Sequence, residues 1–199
     1  MHDDRVQYIE NKKDKVDRIN SIDKKEIHNT NNTICDNDKV NSKGKTPLLS
    51  QVEMTQLVLP NDTNILGNLL GGRLMHWIDV AGAMAASRHS NKVVATVALD
   101  SLDFRHPVRM GEFVILKAKL TWVGRTSMEV IVSVFAENYE TGSIIQTNKA
   151  YITYVALDHD GNPTPVPPLL PKTEEEKKDY IEAEQRRNVR LETRKRDGF

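Results

Sequence analysis

Apolar and polar residues alternate with different periods along the chain, and these periods predict one helix and five strands. Residues 73–88 repeat apolar side chains at spacings of three and four and are rich in alanine, which is typical of a helix. Residues 127–138 place an apolar side chain at every second position, as a strand with one buried face does. The predicted strands are Leu48–Leu59, Val93–Phe104, Phe113–Val123, Ser127–Asn138 and Ile144–Leu157.

The order of these elements indicates an α+β fold. Four strands follow the helix in succession, and such a meander requires an antiparallel sheet. One apolar helix is enough to cover one face of that sheet. We therefore expect a five-stranded antiparallel sheet with one helix packed against it.

The composition of the chain divides it into three parts. Residues 1–48 are crowded with Asp, Asn, Lys and Ser, so they bury too little apolar surface to offset their ordering entropy, and we expect a disordered polar tail. Residues 49–171 form the predicted compact domain. Residues 172–199 form a predicted C-terminal helical extension on the surface, which begins at a capping box of Thr173 and Glu176.

Charge and cysteine content exclude several classes of protein. Basic and acidic residues both number 28, which argues against a nucleic-acid partner. No apolar run reaches the length of a transmembrane helix, and the N-terminus lacks the apolar core of a secretory signal. The single cysteine, Cys35, permits neither an internal disulfide nor a cysteine-based zinc site. A reducing, cytoplasmic location without a membrane partner is the simplest interpretation.

Familiar nucleophile and metal motifs are missing from the sequence. It contains neither a G-x-S-x-G elbow nor an H-E-x-x-H zinc motif. The segment 158–162 resembles the start of a calcium loop, but Pro163 stands where the loop needs glycine and Leu169 where it needs glutamate. We interpret this segment as a turn and expect no metal site.

Asp79 is the residue with the most chemical information. It shares a helical face with apolar residues, where a carboxylate is costly unless it is paired or used, so structural and catalytic roles are both open. Gly82 and Ala83, three and four residues later, leave space beside it for a ligand or a partner helix. Gly71 and Gly72, two turns earlier, expose unpaired N–H groups at the positive end of the helix, a suitable oxyanion site. This combination suggests hydrolysis of an activated acyl group.

Four sequence segments carry a family resemblance. The runs NDTNILGNLLGGRLMHWIDVAGAMAASRHS, VALDSLDFRHPVRMGE, GRTSMEV and NKAYITYVAL resemble the hotdog-fold acyl-CoA thioesterases, in particular the cytosolic acyl-CoA thioester hydrolases and their single-domain bacterial relatives. The resemblance covers residues 50–195 and implies a hotdog fold, a five-stranded antiparallel sheet wrapped around one central helix. It further implies hydrolysis of fatty acyl-CoA to free fatty acid and CoA without a cofactor, since CoA is part of the substrate and product.

The resemblance also assigns site residues. The family's catalytic aspartate matches Asp79, as general base or nucleophile, and its asparagine matches Asn68, which by itself is an ordinary turn residue. Two-domain relatives supply these residues from different domains, so the resemblance implies a homodimer whose sites pair Asn68 of one subunit with Asp79 of the other. Family members often assemble further, into hexameric trimers of dimers. The implied CoA contacts are Val97, Ala98, Leu99, Thr126, Ser127, Met128 and Arg187, with Arg186 and Arg190 as alternatives to the last.

Two other functions fit the same fold. A hydroxyacyl dehydratase of the hotdog type uses a histidine before the central helix, and residues 60–72 contain none. A non-catalytic acyl-CoA-binding module would need the CoA contacts but neither Asp79 nor Asn68. We therefore expect an acyl-CoA thioesterase, with the binding module as the main alternative.

Overall fold

The computed structural model describes residues 44–100, 102 and 106–197 of the chain. The predicted disordered tail lies almost entirely outside the described residues, and Cys35 lies outside them too, so the boundary at residue 48 stays a prediction. The elements, in chain order, are β1 (Val52–Leu57), α1 (Gly71–Ser90), β2 (Val93–Asp100), β3 (Phe113–Val123), β4 (Ser127–Asn138), β5 (Ser143–Leu157) and α2 (Glu174–Asp197).

Strand and helix bounds agree with the sequence pattern except near prolines and caps. The first predicted strand is wrong at its start, because Pro47–Ser50 forms a 3₁₀ turn that opens on a proline, whose fixed φ suits a first helical position. α1 begins two residues before the predicted start and ends where Asn91 adopts a left-handed conformation with φ 54°. β2 ends at Asp100 in the described chain, and the predicted end at Phe104 lies outside the described residues.

The sheet is antiparallel throughout, with the strand order β1-β3-β4-β5-β2. β3, β4 and β5 form the predicted meander, but the prediction is wrong for β2, which pairs with β5 at the far edge. The connections explain the difference. Short turns at Gly124 and Gly142 join β3 to β4 and β4 to β5, whereas residues 101–112 are long enough to cross the sheet. β1 and β2 are therefore the two edge strands.

α1 packs against the inner face of the sheet and confirms the α+β hotdog arrangement. Ile78, Ala81 and Ala85 on the helix are fully buried, as are the alternating apolar residues of β4 from Met128 to Val134. Trp77 of the same helix also lies in this core. None of the helices in the described part of the chain is long and apolar enough to cross a bilayer.

α2 lies on the outer face of the sheet and begins at the predicted capping box. The Thr173 N–H donates to Glu176 Oε2 at 3.1 Å, and the Glu176 N–H donates to Thr173 Oγ1 at 3.1 Å. Ala183 of this helix is fully buried, and the Lys119 Nζ of β3 forms an ion pair with Asp179 at 2.8 Å. The helix is thus docked through few apolar contacts, which agrees with the predicted surface position.

His89 joins three parts of the domain at the end of α1. Its ring is fully buried, with Nε2 2.9 Å from the Pro167 carbonyl and Nδ1 3.2 Å from Ser50 Oγ. Because a carbonyl can only accept, Nε2 carries the hydrogen and Nδ1 accepts from the serine in the neutral ring. Burial lowers the pKa of His89, the Pro167 hydrogen bond partly opposes this, and the charge of Lys45 lowers the pKa further.

We expect acidification to destabilise the fold through His89. Below the ordinary pKa of 6.5, the unfolded chain takes up a proton before the folded chain does, so the free energy of unfolding falls until the pH passes the lowered folded pKa. Urea unfolding of the wild type and His89→Gln, between about pH 7.5 and 5, measures the effect. The difference in free energy of unfolding between the two proteins should become smaller as the pH falls. A constant difference would show that His89 does not titrate in this range.

Candidate active site

Asp79 lies half-buried on α1 with one carboxylate oxygen held in place. Its Oδ1 accepts hydrogen bonds from Thr96 Oγ1 at 2.7 Å and from Tyr154 Oη at 3.2 Å. The Tyr154 hydroxyl also lies 2.9 Å from the Asp79 backbone carbonyl. No donor of the described residues contacts Oδ2, so this oxygen can accept a proton from water or attack an electrophile.

Tyr154 is a site residue that the sequence analysis missed. The side chain is fully buried, and burial, followed by the neighbouring Asp79 charge and hydrogen bond, raises the pKa of the Tyr154 phenol. It therefore stays protonated and keeps its role as a donor. The available signal was a tyrosine on the apolar face of the last strand, since a buried phenol requires a hydrogen-bond partner.

Gly82 allows the Tyr154 phenol to reach the helix. A Cβ atom at Gly82 would lie 2.4 Å from Tyr154 Oη and 3.1 Å from two ring carbons. The prediction that Gly82 leaves space for a ligand or a partner helix is therefore wrong, because Tyr154 fills that space. The open part of the Asp79 face lies elsewhere, at Met75, which is 43% exposed.

The loop before α1 carries two asparagines that line one cavity. Asn64 Oδ1 accepts from the backbone N–H groups of Leu66 at 2.9 Å and Asn68 at 3.2 Å, so it shapes the loop. The structure shows no hydrogen bond between Asn68 and Asp79 within the described chain. The cavity has a volume of about 270 Å³ and is lined by Asn64, Asn68, Leu69, Leu74, His106, Pro107, Val108 and Asn148.

Gly71 and Gly72 open α1, as the oxyanion prediction requires. Leu70 precedes them without a side-chain cap, so the first N–H groups of the helix have no capping acceptor. A Cβ at Gly72 would meet nothing within 4 Å, so the space beside the Gly72 backbone is open. Asp79 lies about 10–12 Å further along the helix axis.

A second cavity lies on the outer face of the sheet, under α2. Its volume is about 150 Å³. Thr153 faces it, whereas the next residue, Tyr154, points to Asp79 on the inner face. The cavity is lined by Val97, Ala98, Trp122, Ser127, Thr153, Val155, Arg187, Arg190 and Leu191.

Four predicted CoA contacts meet in this outer cavity, namely Val97, Ala98, Ser127 and Arg187. Leu99 and Thr126 adjoin it in sequence and are partly exposed. The Met128 side chain points the other way and is fully buried in the core under α1. Only its backbone therefore remains available on the outer face.

The three arginines of α2 that are candidates for the CoA site differ in what they contact. Arg186 forms an ion pair with Glu129 at 2.8 Å, and Arg190 contacts both Glu129 and Asp100. Among the described residues, Arg187 has no carboxylate partner, and its guanidinium lies 5.0 Å from the centre of the Trp122 ring. Arg187 is therefore the arginine whose charge is available to an anion. Within the described chain, no three acidic, histidine or cysteine side chains could hold a metal ion.

Comparison with known proteins places this geometry among the thioesterases. The model of the thioesterase superfamily matches residues 66–143. An uncharacterized acyl-CoA thioester hydrolase of Bacillus subtilis is 42% identical over 141 residues, which are 71% of this chain and 82% of the relative.

Solved structures agree with the sequence comparison. An apo-hexameric acyl-CoA thioesterase is 40% identical with a TM-score of 0.73, over 76% of this chain and 97% of the other. An acyl-CoA hydrolase of Staphylococcus aureus, solved in complex with butyryl coenzyme A, coenzyme A and coenzyme A disulfide, is 32% identical with a TM-score of 0.72, over 77% and 94%. Further structures of that enzyme carry alanine in place of an aspartate, an asparagine or a threonine.

Proposed function

The chain belongs to the thioesterase superfamily, and from this membership we propose that it hydrolyses fatty acyl-CoA to a free fatty acid and CoA, with Asp79 as the catalytic carboxylate. The observation that carries the proposal is the Asp79 side chain, whose Oδ1 is held by two hydroxyl groups while Oδ2 is open. The Staphylococcus aureus relative, solved with an acyl-CoA, supports the substrate class. The enzyme needs no cofactor in this proposal.

The spacing of the substituted residues in the Staphylococcus aureus enzyme supports this choice of residues. There the asparagine precedes the aspartate by 15 positions, and the threonine follows the aspartate by 17. This chain has Asn64, Asp79 and Thr96 at the same spacings. Asn64 is therefore a second candidate for the catalytic asparagine beside Asn68, and Thr96 orients the aspartate.

The hydrolysis runs through a tetrahedral intermediate. Asp79 Oδ2 takes a proton from water as the water oxygen attacks the thioester carbon, and the carbonyl oxygen becomes an oxyanion that accepts from the Gly71 and Gly72 N–H groups. Collapse breaks the C–S bond, and the CoA thiolate leaves and takes up the proton. General-base catalysis contributes about 10²–10⁴ in rate, and one oxyanion donor about 10²–10³. Direct attack by Asp79, with an anhydride intermediate, is the alternative route.

A second copy of the chain completes the site in this proposal. β2 is an edge strand whose outward backbone groups have no partner strand among the described residues, and its Val97 and Leu99 are each 42% exposed. Pairing of two β2 edges would form a ten-stranded sheet and bring the asparagine loop of one subunit to Asp79 of the other. The apo-hexameric relative supports further assembly as a trimer of dimers.

The substrate would cross the sheet at this same edge. The Asp79 carboxylate lies on the inner face of the sheet, the outer cavity with Arg187 lies on the opposite face, and both adjoin β2. A register shift between Thr96 and Ala98 bulges the strand at Val97, between the two sites. We assign the pantetheine arm to this crossing and the CoA phosphates to Arg187. The cytoplasmic location stays a prediction.

Release of free thiol from a panel of acyl-CoAs, from short to long chains, tests the proposed function. We expect turnover of at least one chain length. Binding of CoA without thiol release would identify a non-catalytic binding module instead.

The two asparagines can be separated by single substitutions. Replacement of the catalytic asparagine by alanine should lower kcat about 100-fold to 1000-fold, because a positioned polar contact to the reacting groups is lost. The residue spacing predicts this for Asn64→Ala, and the family motif predicts it for Asn68→Ala. Thiol-release kinetics of both variants decide between them, and circular dichroism controls for the loop contacts that Asn64 also makes. Full activity in both variants would contradict a catalytic asparagine in this loop.

A further inference from the structure

We propose that Glu129 is a positioning residue for CoA binding: it holds Arg186 and Arg190 against the sheet and so presents Arg187 to the CoA phosphates. This inference rests on the proposed function and extends it to a residue of the outer face. Glu129 does not touch the substrate in this proposal. It acts through the arginines of α2.

Glu129 is a buried carboxylate whose two oxygens both accept hydrogen bonds. It is 1% exposed, and its Oε1 accepts from Thr121 Oγ1 at 2.9 Å and from Arg186 Nη2 at 2.8 Å. Its Oε2 accepts from both terminal nitrogens of Arg190 at 3.2 Å. Removing one partner of such a buried group is costly, because the remaining charges lose their compensation. The carboxylate therefore holds the two arginines in one geometry.

The position of Glu129 in the sheet links it to the outer cavity. Trp122 of β3 pairs with Glu129, Glu129 pairs with Thr153 of β5, and Thr153 pairs with Ala98 of β2. These four residues form one row across the outer face, and the three others all line the cavity. Glu129 thus lies in the sheet between two residues that line the cavity, Trp122 and Thr153, and is covered by the arginines that it binds.

The helix geometry explains why Arg187, unlike Arg186 and Arg190, does not contact Glu129. Arg186 and Arg190 lie four residues apart, about one turn, and so share the face that meets Glu129. Arg187 is rotated about 100° from Arg186 and lies over Trp122 at the cavity. Two carboxylates, Glu129 and Asp100, match the charges of Arg186 and Arg190. The charge of Arg187 is therefore unmatched within this cluster.

The arrangement suits an anionic group such as a phosphate better than a neutral ligand. A guanidinium binds phosphate through charge-assisted, often paired hydrogen bonds, provided that its position is constrained. Stacking on Trp122 constrains the Arg187 side chain, and the Glu129 clamp constrains its backbone. The clamp is thus expected to affect the nucleotide end of the substrate and not the thioester end.

A comparison of two substrates tests the role of Glu129. Glu129→Gln should raise the KM for acyl-CoA about tenfold, as expected for weakening one hydrogen bond to a charged group, with little change in kcat. The kinetics of acyl-pantetheine, which has no phosphates, should stay unchanged. Glu175→Gln is the matched control, because it also removes an ion pair between α2 and the sheet, from Lys119 at 3.3 Å, but at an exposed site. This control should leave the KM and kcat for both substrates unchanged.

A double variant separates positioning from general damage to the fold. If Glu129 acts through Arg187, then Glu129→Gln adds no further increase in KM to an Arg187→Ala enzyme. Arg186→Gln loosens the same clamp from the helix side, at an arginine that does not line the outer cavity, and should repeat the selective increase. This variant covers the case that Glu129→Gln does not fold. Three results would overturn the proposal. They are an equal increase in KM with both substrates, an unchanged KM for acyl-CoA in the folded variants, and additive effects on KM in the double variant.

Failure of the proposed function gives a different result from failure of this inference. If the proposed function is wrong, the wild type releases no thiol from either substrate. Calorimetric titration of the same variants with CoA and with pantetheine then decides the role of Glu129. Weaker binding of CoA alone supports it, and unchanged binding of CoA contradicts it.

Discussion

An Asp79→Asn variant is expected to hydrolyse acyl-CoA at least about 100-fold more slowly than the wild type, the lower bound for loss of a general base. The amide keeps the shape of the carboxylate and can still accept the Thr96 hydrogen bond at its oxygen, but it can neither take a proton from water nor attack the thioester. The KM should change little, because the cavity proposed to hold CoA lies on the other face of the sheet. Thiol release under saturating acyl-CoA measures the difference.

Two controls sharpen this experiment. Asp160→Asn changes an exposed aspartate of the turn after β5 and should keep full activity. Turnover in ¹⁸O-water, followed by mass spectrometry of the peptide with Asp79, detects direct attack, because ¹⁸O enters the carboxylate only when water opens an anhydride at the aspartyl carbon. Full activity of Asp79→Asn would show that another carboxylate carries the reaction.

Gly82→Ala is the second change with a large expected effect. The added methyl group would lie 2.4 Å from Tyr154 Oη, so the phenol or the helix must move. Overpacking of this kind costs about 1–3 kcal/mol of stability. Displacement of the phenol also removes a donor from Asp79 Oδ1, so we expect kcat to fall as well. Urea unfolding and thiol-release kinetics measure the two effects.

A second substitution identifies Tyr154 as the cause. Tyr154→Phe removes the atom nearest to the added methyl group, although two ring carbons remain at 3.1 Å. Gly82→Ala combined with Tyr154→Phe should therefore be less destabilised than the sum of the two single variants. The Tyr154→Phe enzyme should fold and lose activity, because Thr96 alone then holds Asp79. Strictly additive losses of stability would contradict the contact.

The sequence pattern was sufficient for the helix and for most strand bounds. Strict alternation in β4 predicts one buried face, and the structure buries Met128, Val130, Val132 and Val134 completely. This succeeds because the period of a strand depends on local backbone geometry and on the separation of core from solvent. The capping box of α2 was equally predictable, since its hydrogen bonds join residues three positions apart.

Pairing between distant segments was decided by the tertiary structure. The position of β2 at the edge beside β5 depends on a long connection and on contacts that no local period encodes. For the same reason the sequence singled out Asp79 but not Tyr154, which lies 75 positions away along the chain. It also predicted an open space at Gly82 and left Arg186 and Arg190 as alternatives to Arg187.

The sequence by itself determined that a carboxylate lies on the central helix, that glycines open this helix, and that the segments resemble acyl-CoA thioesterases. Those properties depend on residue type and spacing along one element. Only the tertiary structure decided which oxygen of Asp79 is open and which arginine keeps an unmatched charge. Both depend on side chains from other elements, Thr96 and Tyr154 in one case and Glu129 in the other. Chain folding brings these groups together, because burial requires each polar atom to find a partner.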